Sequence, residues 1–165
     1  MADTKVSDEL IALLNEAAAR EMKVSMQYMM QHSLYGGGGS AVNNSSLNSR
    51  AGKFVASHRS VFLPGKSMKK IAITEMRHAE AIAERVSVLG GEPTTQPASF
   101  KIGKTLKEIF ELDKGEEEEA ITLYNQIIAV ARSHGDQTTE RLFRGILSDE
   151  EDHLQTFTDF LVQYK

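Results

Sequence analysis

The stretch ITEMRHAE, residues 73–80, places Glu75 and His78 three positions apart in a segment that the sequence predicts to be helical. Residues at positions i and i+3 lie on one face of a helix, so the carboxylate and the imidazole point the same way. That face is otherwise apolar, with the spacing of three and four residues that is typical of a buried stripe. Its other members are Met68, Ile71, Ile82, Val86 and Leu89. Because an unpaired buried charge is costly, both groups need a partner.

The same pair recurs near the end of the chain, where Glu150 and His153 stand on the apolar stripe of another predicted helix. The other members of that stripe are Phe143, Leu147, Phe157 and Leu161, with Leu154 as the alternative to His153. One Glu-x-x-His pair is compatible with a satisfied core histidine. A second pair at the same spacing favours metal ligation.

Two more predicted helices each carry one acid in the middle of an apolar stripe. The first acid, Glu21, lies among Leu10, Leu14, Ala17, Val24 and Tyr28. An alternative to metal binding there is a hydrogen bond between Glu21 and Tyr28. The second acid, Glu117, is singled out from the acidic run 116–119 because it lies seven residues after Phe110 and seven before Tyr124. We expect its three acidic neighbours to face solvent.

The sequence predicts four helices, at about 7–35, 66–89, 105–133 and 137–162. The glycines 36–39 and 90–91 interrupt the helical pattern, because glycine loses much backbone entropy in a helix. The connection 92–105 is long enough to run the length of a bundle, whereas the short turn at Gly135-Asp136 implies antiparallel neighbours. We therefore predict an all-α, up-down four-helix bundle in one domain, 1–165, with one long crossover between the second and third helices.

The composition, 41% hydrophobic and 25% charged, is that of an ordinary globular protein. The sequence has no cysteine, which excludes disulfides, zinc–thiolate sites and iron–sulfur clusters. No apolar run approaches the length of a membrane span, and the chain does not begin with a secretory signal pattern. We expect a cytoplasmic protein without membrane contact.

The connection between the first two helices, about 36–65, is a basic insertion rich in Gly, Ser and Asn. Residues 22–74 contain no Asp or Glu but carry seven positive side chains. They are Lys23, Arg50, Lys53, Arg59, Lys66, Lys69 and Lys70. Such a basic segment on an acidic chain indicates a nucleic acid, an anionic ligand or an acidic neighbouring subunit as its partner.

Four carboxylates in one bundle core would repel one another and could not all stay ionised without cations. Two divalent metal ions would balance them and leave the two imidazoles as further ligands. Mixed oxygen and nitrogen donors suit iron or manganese, and zinc would also fit. One Glu from each of two helices and a Glu-x-x-His from each of the other two resembles the di-iron and di-manganese carboxylate bundles.

Four stretches carry a closer resemblance. They are Glu21-x6-Tyr28, Glu75-Met-x-His78-Ala, Leu89-Gly-Gly-Glu-Pro and Asp149-Glu-Glu-x-His153. In these the chain resembles the bacterioferritin family, within the ferritin-like superfamily. The resemblance covers the four helices and the crossover, and it fails over about 36–65 and at the C-terminus.

The resemblance implies a ferroxidase centre with Glu21 and His78 on one iron ion and Glu117 and His153 on the other. Glu75 and Glu150 would bridge the two ions. In that family the centre oxidises Fe²⁺ with O₂ or H₂O₂, and a homo-oligomeric shell stores the ferric mineral.

The chain also departs from the family. The positions of the family's inner-surface iron site are occupied by Lys70 and Thr74, which cannot serve as that site. The sequence stops at Lys165 where the family has a short fifth helix, so we expect a closed homo-oligomer with open channels or a smaller shell. Met76 corresponds to the family's haem axial ligand, and its alternative role is an interface methionine that fills a gap.

Three other functions remain open. A rubrerythrin-like di-iron peroxidase or oxidase would need no storage shell. A DNA-protecting mini-ferritin would bind nucleic acid through its basic residues, although those proteins usually place the metal site between subunits. Those residues are Lys53, Arg59, Lys66, Lys69 and Lys70. A metal-free structural bundle would leave four buried acids unexplained.

Overall fold

A computed structural model describes residues 8–35 and 64–163. Within these ranges the chain forms four helices and no strand. They are α1 (Asp8–Tyr35), α2 (Pro64–Val88), α3 (Leu106–Ser133) and α4 (Gln137–Val162). The predicted all-α bundle with a long connection between the second and third helices is confirmed. Most of the insertion at 36–65, including Arg50, Lys53 and Arg59, lies outside the described residues.

The helix ends follow from local chemistry. Thr105 caps α3 by accepting a hydrogen bond from the Glu108 amide, and the Glu108 carboxylate accepts one from the Lys104 amide in return. Asp136 caps α4 by accepting from the Thr139 amide. α2 begins two residues before the prediction, at Pro64, because the first helical position needs no amide hydrogen and suits the fixed φ of proline.

The direction of each helix follows from its contacts. Along α1, residues 21, 28 and 31 bond to residues 124, 117 and 113 of α3, so these two helices are antiparallel. The crossover between α2 and α3 lies along α1, where the Ala98 amide donates to the Ala19 carbonyl at 3.0 Å and the Asn15 side chain bonds to Glu92 and Thr94. α1 packs most extensively against α2, and α3 against α4, while α1 with α3 and α2 with α4 are in less extensive contact.

The hydrophobic core falls into two clusters, one towards each end of the bundle. One cluster is built around Leu14, Val86, Tyr124 and Phe143, and the other around Val24, Met68, Phe110 and Phe157. Burial of each large apolar side chain contributes about 1.5–3 kcal/mol, and this stabilisation offsets the cost of a polar layer between the clusters. The buried acids of all four helices lie in that layer.

The predicted stripe of α4 was partly wrong in register. The structure buries Ile146 and Phe160, whereas Leu147 and Leu161 are only half-buried. A heptad of apolar residues drifts around an α-helix of 3.6 residues per turn, so leucines one position along lie at the edge of the core. The shift leaves Glu150 and His153 facing inward, and His153 rather than Leu154 is the buried member.

None of the described helices combines the length and apolarity that a membrane crossing requires.

Candidate metal centre

The six predicted ligands come together in the polar layer of the bundle. Each of the four glutamates is 0% exposed, while His78 and His153 keep 7% and 8% exposure. α1 and α3 contribute one carboxylate each, and α2 and α4 contribute a Glu-x-x-His pair each. The full set is Glu21, Glu75, His78, Glu117, Glu150 and His153.

These side chains form two overlapping groups whose donor atoms lie within 4.8 Å of one another. One group is Glu21, Glu75, His78 and Glu150, and the other is Glu75, Glu117, Glu150 and His153. Glu75 and Glu150 belong to both groups. The arrangement therefore offers two adjacent cation positions with two shared carboxylates.

Both imidazoles turn the same nitrogen towards the acids. His78 Nδ1 lies 3.0 Å from Glu75 Oε2 and 3.1 Å from Glu150 Oε1. His153 Nδ1 lies 2.8 Å from Glu75 Oε1 and 3.1 Å from Glu150 Oε2. Each imidazole thus faces both shared carboxylates, so Nδ1 is the atom that each could offer to a metal ion.

The pattern of hydrogen bonding fits a pair of metal ions. Glu21 and Glu117 each keep one buried oxygen, Oε2, that has no hydrogen-bond partner among the described residues. The shared carboxylates instead turn Glu75 Oε1 and Glu150 Oε1 to the imidazoles, at 2.8 and 3.1 Å. Buried polar atoms are rarely left without a partner, since each costs about 1–3 kcal/mol. Two oxygen-seeking cations would satisfy both Oε2 atoms and would take the place of the imidazole protons beside the shared carboxylates.

Two tyrosines hold the outer carboxylates, which are the two that the groups do not share (Glu21 and Glu117), in a crossed arrangement. The Tyr28 hydroxyl of α1 donates to Glu117 Oε1 of α3 at 2.5 Å, and the Tyr124 hydroxyl of α3 donates to Glu21 Oε1 of α1. Burial, and then the charge of Glu117, raises the pKa of Tyr28, and burial followed by Glu21 does the same for Tyr124. Both phenols therefore stay protonated donors. The alternative of a Glu21–Tyr28 hydrogen bond is wrong, because the side chains pair between helices.

The electrostatics of the metal-free centre follow from burial and mutual repulsion. Burial, and then the charges of Glu75 and Glu150, raises the pKa of Glu21 and of Glu117 well above the usual range. Although burial alone would lower it, the neighbouring carboxylates raise the pKa of His78 to about 11 and of His153 to about 10. The two imidazolium groups in turn outweigh burial and lower the pKa of Glu150 to about 2. In the metal-free centre, protons on the two imidazoles and on Glu21 and Glu117 therefore take the place of the positive charge that metal ions would supply.

Asp149 lies behind His78 at the edge of the centre, a position that the spacing did not reveal. Its Oδ2 lies 3.1 Å from His78 Nε2, the nitrogen that faces away from the centre. A carboxylate behind a metal-binding histidine fixes the tautomer and the orientation of the ring. The signal for it in the sequence is the acidic run 149–152, of which the helical spacing distinguishes only Glu150.

A buried ion cluster covers the opposite side, between α1 and α3. Arg20 and Lys23 are 7% and 9% exposed, and both approach Glu116 Oε2, Arg20 at 3.7 Å. Glu116 is half-buried, so the prediction that it faces solvent is wrong, whereas Glu118 and Glu119 are exposed. Glu116 lies one position off the stripe of Glu117, on the side that packs against α1.

α3 carries another buried acid besides Glu117. This residue, Asp113, lies one turn before it. Its Oδ1 accepts hydrogen bonds from Gln27 at 3.0 Å and from Gln31 at 2.8 Å. Burial raises the pKa of Asp113 to about 7, although the two amides lower it. Both glutamines are themselves buried, at 1% and 0% exposure, and Gln31 lies seven residues after Val24 of the apolar stripe.

Met76 lies outside the centre. It is 48% exposed and lines an apolar groove of 530 Å³ between α1 and α2, together with Met22 and Met29. Exposed apolar side chains continue this surface. They are Met26, Met30, Leu34 and Ile73.

Comparisons with known proteins agree with this geometry. Residues 65–165 match the family model of the ferritin-like domain. The chain is 37% identical over 147 residues to the bacterioferritin of Desulfovibrio desulfuricans, an alignment that covers 88% of this chain and 70% of that protein. It is 33% identical over 147 residues to the bacterioferritin of Mycolicibacterium paratuberculosis, covering 88% of this chain and 79% of the relative.

Two solved structures show the same fold. The Desulfovibrio desulfuricans bacterioferritin, solved with its diiron site in different catalytic states, has a TM-score of 0.72 at 35% identity and covers 97% of this chain and 81% of its own. The Mycobacterium tuberculosis bacterioferritin has a TM-score of 0.74 at 26% identity, covering 95% of this chain and 86% of its own. With the family-model match and the identity over most of both chains, this protein belongs to the bacterioferritin family of ferritin-like proteins.

Proposed function

We propose that this protein is a ferroxidase that oxidises Fe²⁺ at the six-residue centre and sequesters ferric iron in a homo-oligomeric shell. One observation carries the proposal: two groups of metal-binding side chains overlap at Glu75 and Glu150, and Glu21 and Glu117 each keep one unbonded oxygen. Two Fe²⁺ ions held side by side can give two electrons to one oxidant, so that H₂O₂ yields two hydroxide ions, or O₂ with two protons yields H₂O₂.

The chain's own residues would hold and orient the iron. Glu21 and His78 serve one position, Glu117 and His153 serve the other, and the shared acids keep the two ions close. The tyrosine hydroxyls fix the outer carboxylates, and Asp149 fixes the ring of His78. The donor set of carboxylates and imidazoles favours iron and also fits manganese or zinc.

The proposal of an oligomeric shell is supported by the exposed apolar surface on α1 and α2. Met26, Met30 and Leu34 are 44%, 51% and 48% exposed. A continuous apolar surface of this kind marks an interface, and a second copy of the chain would cover it. Haem binding by Met76 at such an interface is a further part of the proposal, tested by the visible spectrum of the purified protein against Met76→Ala. We also propose a cytoplasmic location, because the chain belongs to the bacterioferritin family.

The test is the mass and iron content of the particle after aerobic incubation with Fe²⁺, measured on a sizing column. A storage protein elutes as a large homo-oligomer with far more than two iron ions per chain. A rubrerythrin-like peroxidase would stop at two iron ions per chain, and a stable monomer would contradict storage.

A further inference from the structure

A buried cation, Arg20, lies beside the metal centre without being one of its ligands. Arg20 directly precedes the ligand Glu21 on α1, and it approaches Glu116, which directly precedes the ligand Glu117 on α3. The pair formed by Arg20 and Glu116 is therefore displaced by one position on both helices from the pair of outer carboxylates. At 7% exposure, the Arg20 side chain is buried where α1 meets α3.

The charge of Arg20 is not balanced by its surroundings. The Glu116 carboxylate accepts a hydrogen bond from the Lys23 ammonium, whereas Arg20 Nη2 stays 3.7 Å from it. All three guanidinium nitrogens are buried without a hydrogen-bond partner among the described residues. Two cations thus face one carboxylate, which leaves one positive charge in a setting that screens it weakly. A buried charge in this state is costly, so a stabilising ion pair does not account for its presence.

The electric field of Arg20 reaches both outer carboxylates. Burial, and then the charges of Glu75 and Glu150, raises the pKa of Glu21 and of Glu117, and Arg20 is the first of the charges that lower it. A charge that favours these two anions also repels any metal cation that they bind. The repulsion is proportional to the charge of that ion, so it is half as large again for Fe³⁺ as for Fe²⁺.

We propose that Arg20 tunes the metal centre by its charge, so that the six ligands hold Fe³⁺ less tightly relative to Fe²⁺ than they would without it. The role in storage rests on the proposed function, because a protein that stores iron has to release each ferric ion from the centre before more Fe²⁺ can bind there. The charge effect itself depends only on where Arg20 lies.

Two redox-inert ions separate an effect of charge from an effect of packing. The affinities for Zn²⁺ and Ga³⁺ are measured by competition with nitrilotriacetate. In Arg20→Met, which keeps an unbranched side chain but removes its charge, affinity is expected to rise about tenfold for Zn²⁺ and about thirtyfold for Ga³⁺, because the Coulomb energy scales with ionic charge. Arg20→Lys keeps the charge and is expected to stay close to wild type. The matched control Arg132→Met removes an exposed positive charge near the end of α3 and leaves both affinities unchanged.

A second variant is expected to act with the opposite sign. Glu116→Gln removes the carboxylate that faces Arg20 and Lys23, so it leaves more positive charge beside the centre. Both ions should then bind more weakly than in the wild type, and Ga³⁺ should lose more affinity than Zn²⁺. Because this variant keeps Arg20 in place, it decides the matter even where Arg20→Met fails to fold.

Two results would overturn the role of Arg20. One is that Zn²⁺ and Ga³⁺ affinities change by the same factor, or do not change, in Arg20→Met or in Glu116→Gln. The other is that Arg20→Lys behaves like Arg20→Met. If the expected affinities are found but the protein neither oxidises Fe²⁺ nor accumulates iron, the proposed function fails and the charge effect stands. No Zn²⁺ binding by the wild type would contradict the centre and the role of Arg20 together.

Discussion

Tyr28 of α1 and Glu117 of α3 are joined by a hydrogen bond of 2.5 Å across the bundle, and Tyr124 and Glu21 are joined in the opposite sense. Each helix thus holds the acid of the other. The two bonds occupy Oε1 of each carboxylate and leave Oε2 without a hydrogen bond in the described part of the chain. The same two hydrogen bonds therefore fix both the distance between α1 and α3 and the direction of the two Oε2 atoms.

Removing one phenol hydroxyl is therefore expected to loosen the metal centre. In Tyr28→Phe, Glu117 loses the donor that orients it, and second-layer partners of this kind are worth about 10- to 100-fold in metal affinity. Calorimetric titration with Zn²⁺ measures the change. The control Thr122→Val deletes an exposed hydroxyl of α3 that bonds to the Glu118 carbonyl. Equal affinity in Tyr28→Phe and the control would contradict the positioning role.

The register of α3 predicts which acid of the run 116–119 matters. Glu117→Gln is expected to abolish rapid Fe²⁺ oxidation, because it removes a charged ligand, while the exposed Glu119→Gln leaves the rate nearly unchanged. Glu116→Gln is expected to lower the free energy of unfolding, since it deprives Lys23 and Arg20 of their partner. Initial oxidation rates and denaturant unfolding separate these effects. Loss of oxidation in Glu119→Gln but not in Glu117→Gln would show that the register is wrong.

Metal binding is expected to release protons and to strengthen as pH rises. The pKa values of about 11 for His78 and about 10 for His153 mean that both rings are protonated near pH 7 without metal, and Nδ1 must be deprotonated to bind. The raised pKa of Glu21 and Glu117 adds to the effect. Zn²⁺ titration in a weak buffer with a pH indicator measures the release. Affinity that is constant from pH 6 to pH 8 would contradict this account.

The same shifts set the pH dependence of the metal-free fold. For the histidines, the folded pKa lies above the ordinary 6.5, so their stabilisation is complete below pH 6.5 and is lost as pH rises through about 10 to 11. For Glu150 the folded pKa of about 2 lies below the ordinary 4.5, so its contribution is present above pH 4.5 and is lost as pH falls through about 2. Unfolding of the metal-free protein at both extremes of pH checks these signs.

Asp113 is expected to make the folded protein less stable as pH rises, which is the opposite of a carboxylate whose folded pKa is lowered. Its folded pKa of about 7 lies above the ordinary 3.8, so stability falls as pH rises from 3.8 to about 7, by an amount on the order of a few kcal/mol. In Asp113→Asn, the neutral side chain would keep one oxygen to accept from the Gln27 and Gln31 amides. We therefore expect Asp113→Asn to stabilise the protein at pH 8.

Urea unfolding at pH 5 and pH 8 tests this prediction. The exposed Asp159→Asn, which removes the same charge from α4, serves as the control and is expected to show little change. Lower stability of Asp113→Asn than of wild type at pH 8 would contradict the account, because it would mean that the ionised carboxylate is the favoured form.

The fold and the six central residues were predictable because both depend on spacing along a helix. Glu117 was separated from its neighbours by its distance from Phe110 and Tyr124, and burial follows directly from such a period. The partners of these residues were not predictable in the same way. The crossed tyrosine bonds, the glutamines around Asp113 and the pairing of Glu116 with Lys23 depend on how α1 and α3 face each other, which no single-helix pattern encodes.

The central claim is that two metal ions share Glu75 and Glu150, and a crystal soaked anaerobically in Fe²⁺ tests it most directly. The anomalous difference map at the iron edge is predicted to show two peaks about 3.5–4 Å apart, the usual separation in two-metal sites. Both peaks are predicted to contact both shared carboxylates, with His78 on one ion and His153 on the other. A single peak, or peaks that do not touch Glu75 and Glu150, would contradict the dinuclear centre.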